Sequence, residues 1–241
     1  MQEAISAVQE TRNAIAALDK NEKDNALAAL ERAVGKLEVL LARSPSLVLA
    51  PVDIDVTVSD LIADIDAIRL LRKQAEDLLE DGNVQAARAM LTGAASEINI
   101  SSLNLPLQTY PAAIRVAVRL LEEGKNTEAK DALNAVLNTL VVTEESIPLP
   151  IIRAEAMLEE TSKLLEDTKE ESRQKALNLV ANAEYQLKFA EELGYGDWDQ
   201  EYGDIQRKLQ EIEDKIEGKE TATSQLKTLR DQIERFKDRI L

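Results

Sequence analysis

The chain has 241 residues and a formal net charge of −16, with 45 Asp and Glu against 29 Lys and Arg. Such an acidic surface repels phosphate, which argues against nucleic acid as a partner. The sequence contains no Cys and no His, which excludes disulfides, thiol catalysis, Ser-His-Asp triads and the common zinc sites.

Four segments share a spacing that predicts buried helix faces. Gly (8) and Pro (6) are scarce, while Ala, Leu, Glu and Lys, which favour helices, dominate. In each segment an Ala is followed by Leu or Val after four positions, by Ala or Val after three, and by another aliphatic residue after four, so that all four share one helix face. The segments are Ala26, Leu30, Ala33 and Leu37; Ala87, Leu91, Ala94 and Ile98; Ala129, Leu133, Val136 and Leu140; and Ala176, Val180, Ala183 and Leu187.

Polar turns precede the first three of these segments and predict helical hairpins. Gly82 and Gly124 suit the left-handed end of one helix, and Asn83 and Asn126 suit the N-cap of the next. Each hairpin is therefore expected to be a helix, a tight turn and a second helix. Because the segments are unevenly spaced, the sequence favours a bundle of irregular helical hairpins over a regular solenoid.

Apolar, proline-bearing linkers follow the first three hairpins, at residues 44–58, 99–111 and 141–150. The first contains a strand pattern, in which four aliphatic residues alternate with polar ones: Val52, Ile54, Val56 and Val58. The other two linkers carry weaker strand patterns. The three linkers either pair as a small sheet or run as extended connections packed on the helices, and the second interpretation is the simpler one.

The sequence changes character after Gly194. The remaining residues carry short heptad-like stripes, which are typical of paired helices: Ile205, Leu209, Ile212 and Ile216, then Leu226, Leu229, Ile233, Phe236 and Ile240. We therefore predict a helical-hairpin body at residues 1–196 and a C-terminal helical hairpin at residues 197–241. This hairpin covers the body within a single structural unit or pairs with another subunit. The expected fold is mainly all-α, with a few very short strands at most.

Six residues are candidates for a ligand or partner surface. Four lie in the proline-bearing linkers, where stiff apolar chain would suit an apolar groove. Two lie in the loop that follows Gly194, where Tyr and Trp are typical of ligand or partner sites. For both groups the simpler interpretation is structural, namely linker packing and anchoring of the terminal hairpin. The six are Pro106, Tyr110, Pro148, Pro150, Tyr195 and Trp198.

The sequence contains no recognisable catalytic, cofactor or metal site. It lacks the glycine-rich loops that cradle phosphates and the nucleophile elbow of hydrolases. Asp-x-Asp triplets occur at residues 53–55 and 64–66, but neither has the glycine of a calcium loop after it, so we expect solvated carboxylates. No apolar run approaches the roughly 20 residues of a membrane span. No signal peptide is visible, so the chain is expected either to be cytoplasmic or to begin after a removed signal.

Several motifs in the linkers and hairpins occur together in a fixed order. They are Lys36-Leu37-Glu38-Val39-Leu40-Leu41-Ala42-Arg43 with Pro51-Val52-Asp53, Asn104-Leu105-Pro106-Leu107 with Thr109-Tyr110-Pro111, Leu137-Asn138-Thr139-Leu140-Val141-Val142-Thr143 with Ile147-Pro148-Leu149-Pro150, and Glu184-Tyr185-Gln186-Leu187 with Glu192-Leu193-Gly194-Tyr195-Gly196. Together they resemble the YfdX family of bacterial proteins, from about residue 5 to residue 240. They are packing motifs and carry no catalytic signature.

The resemblance implies a helix-rich protein that is exported to the periplasm, associated with stress including acid stress, and self-associating. It implies no enzyme activity, so no catalytic residue is carried over. We therefore expect a non-enzymatic, stress-associated interaction protein that forms a homo-oligomer, with a client protein or an apolar small molecule as a candidate partner, and without cofactor, nucleic acid or membrane span. The alternative is a binding module for an apolar small molecule or peptide. The lack of a visible signal peptide departs from the family pattern.

Overall fold

The computed structural model describes residues 2–196 and 201–240 of the chain. These residues form ten helices and three strands, so the prediction of a mainly helical protein is confirmed. In chain order the elements are α1 (Gln2–Asp19), α2 (Lys23–Arg43), β1 (Leu49–Ser59), α3 (Ile65–Glu80), α4 (Val84–Leu91), β2 (Glu97–Pro106), α5 (Tyr110–Glu122), α6 (Asn126–Leu137), β3 (Val141–Pro148), α7 (Leu149–Leu164), α8 (Glu170–Glu192), α9 (Glu201–Glu217) and α10 (Thr223–Ile240).

The alanine that opens each predicted helix face is buried in a helix. Ala26, Ala87, Ala129 and Ala176 are all shielded from solvent, and in the first and fourth segments the other three residues are buried as well. The second segment departs from the prediction because α4 ends at Leu91, which is exposed. The turn glycines behave as expected, since Gly82 and Gly124 have φ values of 77° and 76°, a conformation that costs other residues energy.

Four helices enclose the core of the first compact unit, which comprises Met1–Val56 and Ile100–Glu144. Helices α1 and α5 each pack on both α2 and α6, so every helix of the four contacts two others. Alanine dominates the contacts and allows the helices to approach closely. The buried alanines of these helices are Ala4, Ala7, Ala14, Ala17, Ala26, Ala29, Ala33, Ala117 and Ala129.

The second compact unit comprises Thr57–Asn99 and Glu145–Leu241. Helix α7 packs on α8 and α10, and α9 packs on the same two helices. The heptad-like stripes of the last two helices are buried as predicted: Ile205, Leu209, Ile212, Ile216, Leu226, Leu229, Ile233 and Phe236. Helices α9 and α10 share one core with α7 and α8. The boundaries between the compact units therefore lie at residues 56–57, 99–100 and 144–145 rather than at residue 196.

The proline-bearing linkers form a three-stranded antiparallel sheet in the order β1-β2-β3. The interpretation of these linkers as extended connections is therefore wrong, and the strands, at 11, 10 and 8 residues, are longer than the very short strands expected. Proline does not prevent the pairing, because Pro51 lies in the edge strand and Pro106 and Pro148 are the last residues of their strands. Pairing satisfies backbone groups that isolated extended chain would leave to water.

The helix contacts at alanine make a direct prediction about side-chain volume. Ala129→Leu introduces three extra carbon atoms into a fully buried position of α6, and overpacking of this kind costs about 1–3 kcal/mol. We expect the midpoint of thermal unfolding, followed by circular dichroism at 222 nm, to fall by several degrees. Ala135→Leu, on the exposed face of the same helix, is the matched control. An equal effect of the two substitutions would contradict close packing at Ala129.

Candidate functional site

Ser96, which lies between α4 and β2, is the centre of a hydrogen-bond network in the second compact unit. Its side chain is fully buried, and all of its polar groups are used. The Ser96 N–H donates to the Tyr195 hydroxyl at 3.0 Å, its carbonyl accepts from the Leu149 N–H at 2.9 Å, and its hydroxyl donates to Asp60 Oδ1 at 3.0 Å. One serine therefore holds the segment after β1, the start of α7 and the loop after α8.

Asp60 extends this network to a helix through a two-pronged ion pair. Arg153 Nη1 donates to Asp60 Oδ1 at 3.1 Å and Nη2 donates to Oδ2 at 2.7 Å. The Arg153 hydrogen bonds lower the pKa of the Asp60 carboxyl, and the Ser96 hydroxyl lowers it further, against an opposing effect of partial burial. A carboxylate held ionised by three donors is suited to positioning and poorly suited to proton transfer.

Tyr195, one of the predicted site residues, has its hydroxyl fully committed within the fold. The hydroxyl donates to Glu97 Oε2 at 2.9 Å and accepts from Ser96. Burial raises the pKa of the Tyr195 phenol, and the neighbouring Glu97 carboxylate raises it as well. The phenol is therefore neutral at physiological pH and serves as a connector between α8 and β2.

The loop around Tyr195 is tightly constrained by its neighbours. The Tyr195 carbonyl accepts from the Tyr202 hydroxyl at 2.6 Å. Gly196 has φ 76°, and a Cβ added there would lie 2.8 Å from Phe236 Cζ, so only glycine fits. Trp198, the other aromatic candidate in this loop, lies outside the described residues.

Two of the predicted proline sites belong to the same neighbourhood. Pro148 ends β3 and Pro150 lies in the first turn of α7, and both are buried. They flank Leu149, whose N–H is bound by the Ser96 carbonyl. The first turn of a helix is where proline is tolerated best. The structure thus brings Pro148, Pro150 and Tyr195 around Ser96 as packing and connecting residues.

Pro106 and Tyr110 lie in the first compact unit. Pro106 ends β2, and the following Leu107 N–H donates to the Val48 carbonyl at 2.9 Å. Tyr110 opens α5 and is fully buried, with its hydroxyl donating to Thr11 Oγ1 at 3.1 Å. The Thr11 hydroxyl in turn donates to the Ala7 carbonyl at 2.9 Å. Burial raises the pKa of Tyr110, and its side chain contributes to the core rather than to a surface groove.

An apolar groove that the sequence does not predict lies between α2 and α5 in the first compact unit. It has a volume of about 700 Å³, and its apolar lining consists of Val34, Gly35, Ala112 and Val118 with the buried Leu30. Charged side chains border it, with Glu31 and Glu38 on α2 and Arg115 and Arg119 on α5. Periodicity identifies buried residues such as Leu30, whereas the other residues that line the groove are half-buried or exposed. The local signal for the groove is a glycine inside a predicted helix.

The described residues offer little to a metal ion or a membrane. Within residues 2–196 and 201–240, no group of three or more acidic side chains is arranged to hold a metal. The Asp64 carboxylate of one Asp-x-Asp triplet caps α3 by accepting from the Ala67 N–H at 2.7 Å. None of the described helices combines the length and the apolar character that a bilayer crossing requires.

Comparison with known proteins decides the family. Residues 7–146 match the family described as YfdX protein, which is more than half of the 241 residues. This chain belongs to the YfdX family. Among solved structures it is similar to a structure of YfdX from Salmonella Typhi, with 17% sequence identity, a TM-score of 0.42, and coverage of 61% of this chain and 91% of that chain. No curated protein sequence matches it.

The YfdX match covers the α2/α5 groove and only part of the Ser96 network. The α2/α5 groove lies entirely within the matched residues 7–146. The Ser96 network is divided, because Asp60 and Ser96 lie within the match and Arg153 and Tyr195 lie beyond it. The resemblance noted around residues 184–196 also lies outside the matched range.

The Asp60–Arg153 pair makes a prediction about pH. A carboxyl whose pKa is lower in the folded chain stabilises the fold above its unfolded pKa of about 3.9, and this stabilisation is lost as the pH falls through the folded pKa. Since both partners are partly exposed, we expect Asp60→Asn to lower the free energy of unfolding by about 0.5–1 kcal/mol at pH 7. The difference from the wild type should shrink below about pH 4, as measured by urea unfolding.

Asp66→Asn is the control for this experiment. Asp66 pairs with Arg69 one turn away on the same helix, and the Asp66 side chain is almost completely exposed, so its removal should cost little at any pH. A penalty for Asp60→Asn that stays constant from pH 7 to acid conditions would show that the ion pair does not cause it.

Proposed function

We propose that this YfdX-family chain is a non-enzymatic, stress-associated interaction protein that is exported to the periplasm and self-associates. The compartment and the association with stress rest on the family resemblance. The interaction role rests on the surface of the chain itself, above all on the exposed apolar residues of an edge strand. Each part of the proposal has its own support.

The non-enzymatic part is supported by the way polar side chains are used. The sequence offers no imidazole and no thiol, so a catalyst would depend on carboxylates, amines, hydroxyls or phenols. The buried phenol of Tyr110 and the half-buried phenol of Tyr195 are each bound to a structural partner. Asp60, the carboxylate of the Ser96 network, is held ionised by Arg153. These groups stabilise the fold and are not free to react.

Strand β1 is the observation that carries the interaction role. It lies at an edge of the sheet, and its Ile54 and Val56 side chains are 48% and 55% exposed. An edge strand presents unpaired backbone groups, and exposed aliphatic side chains beside them favour pairing with another extended chain. Asp53 and Asp55 alternate with these residues and limit uncontrolled aggregation, because charges on an edge oppose it.

Glu213 on α9 is a carboxyl group whose contribution to stability depends on pH. Partial burial raises the pKa of the Glu213 carboxyl, and Glu184 and Glu217 raise it further. A carboxyl whose pKa is higher in the folded state binds more protons there than in the unfolded state. Its contribution to stability therefore increases as the pH falls through the folded pKa.

A second candidate function is the binding of an apolar small molecule or peptide. The α2/α5 groove favours it, since its volume and apolar lining fall within the range of small-ligand sites. The proline-bearing linkers, which the sequence proposes as the lining of such a site, contribute none of the groove residues.

Self-association and client binding are tested together. Size-exclusion chromatography with light scattering should give a mass that rises with concentration above the 26.7 kDa of one chain.

At acid pH the protein should suppress aggregation of an unfolded client, and Val56→Lys should weaken this effect because it places a charge in the apolar row. Thr57→Lys, on the opposite face of β1, is the control. A strict monomer at every concentration argues against self-association, and unchanged client aggregation removes the client role.

The second candidate is tested with an apolar fluorescent probe, 1-anilinonaphthalene-8-sulfonate. If the groove is a ligand site, Val118→Ser should weaken probe binding several-fold, whereas Val142→Ser, which alters an exposed valine of β3, should not. Equal binding by both variants and the wild type would exclude the groove as the site.

A further inference from the structure

Gly35 lies in the interior of α2 without any internal reason to be glycine. Its φ is outside the left-handed region, and a Cβ added at this position would meet no atom within 4 Å. Glycine is disfavoured in a helix interior relative to alanine. Neither backbone conformation nor packing within the chain explains the residue. Glycine also permits another backbone to approach closely, and Gly35 lines the open α2/α5 groove.

The groove carries opposite charges on its two helices; Glu31 acts electrostatically on Arg32 and Arg119 on Glu123, but without close ion pairing. Glu31 and Glu38 lie on the α2 side, and Arg115 and Arg119 lie on the α5 side. Within residues 2–196 and 201–240, none of these four side chains forms a salt bridge at 4.0 Å or less. The groove is therefore acidic along α2 and basic along α5, with Val34 and Val118 between the two charged rows.

Two exposed valines continue the apolar lining along the two helices. Val39 is 44% exposed and Val116 is 42% exposed. Each lies one helical turn beyond a groove residue, Gly35 and Ala112 respectively, and therefore on the same helix face. Unpartnered valines that continue an apolar groove are typical of a protein–protein contact.

A second copy of this chain is the occupant that fits both borders. If a two-fold axis runs along the groove, α2 of one copy lies over α5 of the other, and each acidic border faces a basic one. A uniformly basic or uniformly acidic partner would be repelled by one of the two borders. A small apolar molecule would use the apolar lining but would leave the four charges and Gly35 unexplained.

We propose that the α2/α5 groove is the surface through which two copies of this chain pair about a two-fold axis. The proposal rests on the self-association proposed above and assigns it to specific residues. Close approach occurs at Gly35, the valines are buried between the copies, and Glu31 and Glu38 of each copy face Arg115 and Arg119 of the other.

Gly35→Ala separates this proposal from a purely structural role of the helix. Alanine favours the helix, so the thermal midpoint of the dilute monomer should rise. The added methyl group prevents close approach and acts twice in a two-fold interface, so the dimer dissociation constant should increase about tenfold. Gly203→Ala is the matched control, because Gly203 is also helical and its added Cβ also meets no atom within 4 Å. It should leave the dissociation constant unchanged.

Reversal of the border charges tests the pairing directly. Glu31→Arg and Arg119→Glu, which lie at the same height on the antiparallel helices α2 and α5, should each increase the dissociation constant at least tenfold at about 0.15 M salt, since like charges then face each other twice. The double variant restores opposite charges across the interface and should return to within threefold of the wild type. Sedimentation velocity over a dilution series measures all four proteins, and circular dichroism checks that each is folded.

The outcomes distinguish this proposal from the proposed function. A wild type that dimerises with the same dissociation constant as all the variants overturns the assignment of the groove and leaves self-association in place. A wild type that is monomeric at every concentration overturns both. If the variants no longer bind the apolar probe or a client but still dimerise normally, the second copy is not the occupant of the groove. Weakening by Gly35→Ala and by each single reversal, with rescue by the double variant, supports the proposal.

Discussion

Close contact between helices at alanine is the constraint on which the rest of this structure depends. The chain has few aromatic residues, so its cores gain buried area from many short side chains rather than from a few large ones. Such cores are stable only where helix axes approach closely, which requires small residues at the contact. In the first compact unit this places alanine on each of the four helices that enclose the core. These positions are committed to packing between the helices.

The same constraint determines how polar groups are used. In a densely packed interior a polar group without a partner is costly, so buried polar groups occur in satisfied networks. Tyr110 and Thr11 form such a network in the first compact unit, and Ser96 with its partners forms one in the second. Both networks connect elements that are distant in sequence. The hydroxyls, the carboxylate and the guanidinium of these networks are therefore bound to partners within the fold.

The helices and their buried faces could be predicted because the signal for them is local. A 4-3-4 spacing of Ala and aliphatic residues identified the buried face at Ala26 and at Ala176, and turn glycines marked two helix ends. The sheet could not be predicted securely, because strand pairing is a non-local property and only β1 showed clear alternation. Ser96 had no local signal at all, since its partners Asp60, Leu149 and Tyr195 lie dozens of residues away. The α2/α5 groove was missed because periodicity reports burial and not the space between two helices.

The net charge of the chain imposes a condition on any contact between copies. Two bodies that each carry −16 repel each other at long range, and salt screens this repulsion beyond about 8 Å at physiological ionic strength. Salt screens direct contacts between opposite charges at an interface less strongly. Such contacts therefore attract two copies even though the net charges of the copies repel each other. Acidification towards the isoelectric point of about 4.6 removes the long-range repulsion altogether. In the pairing proposed above, a fall in pH therefore weakens the long-range repulsion between the two copies.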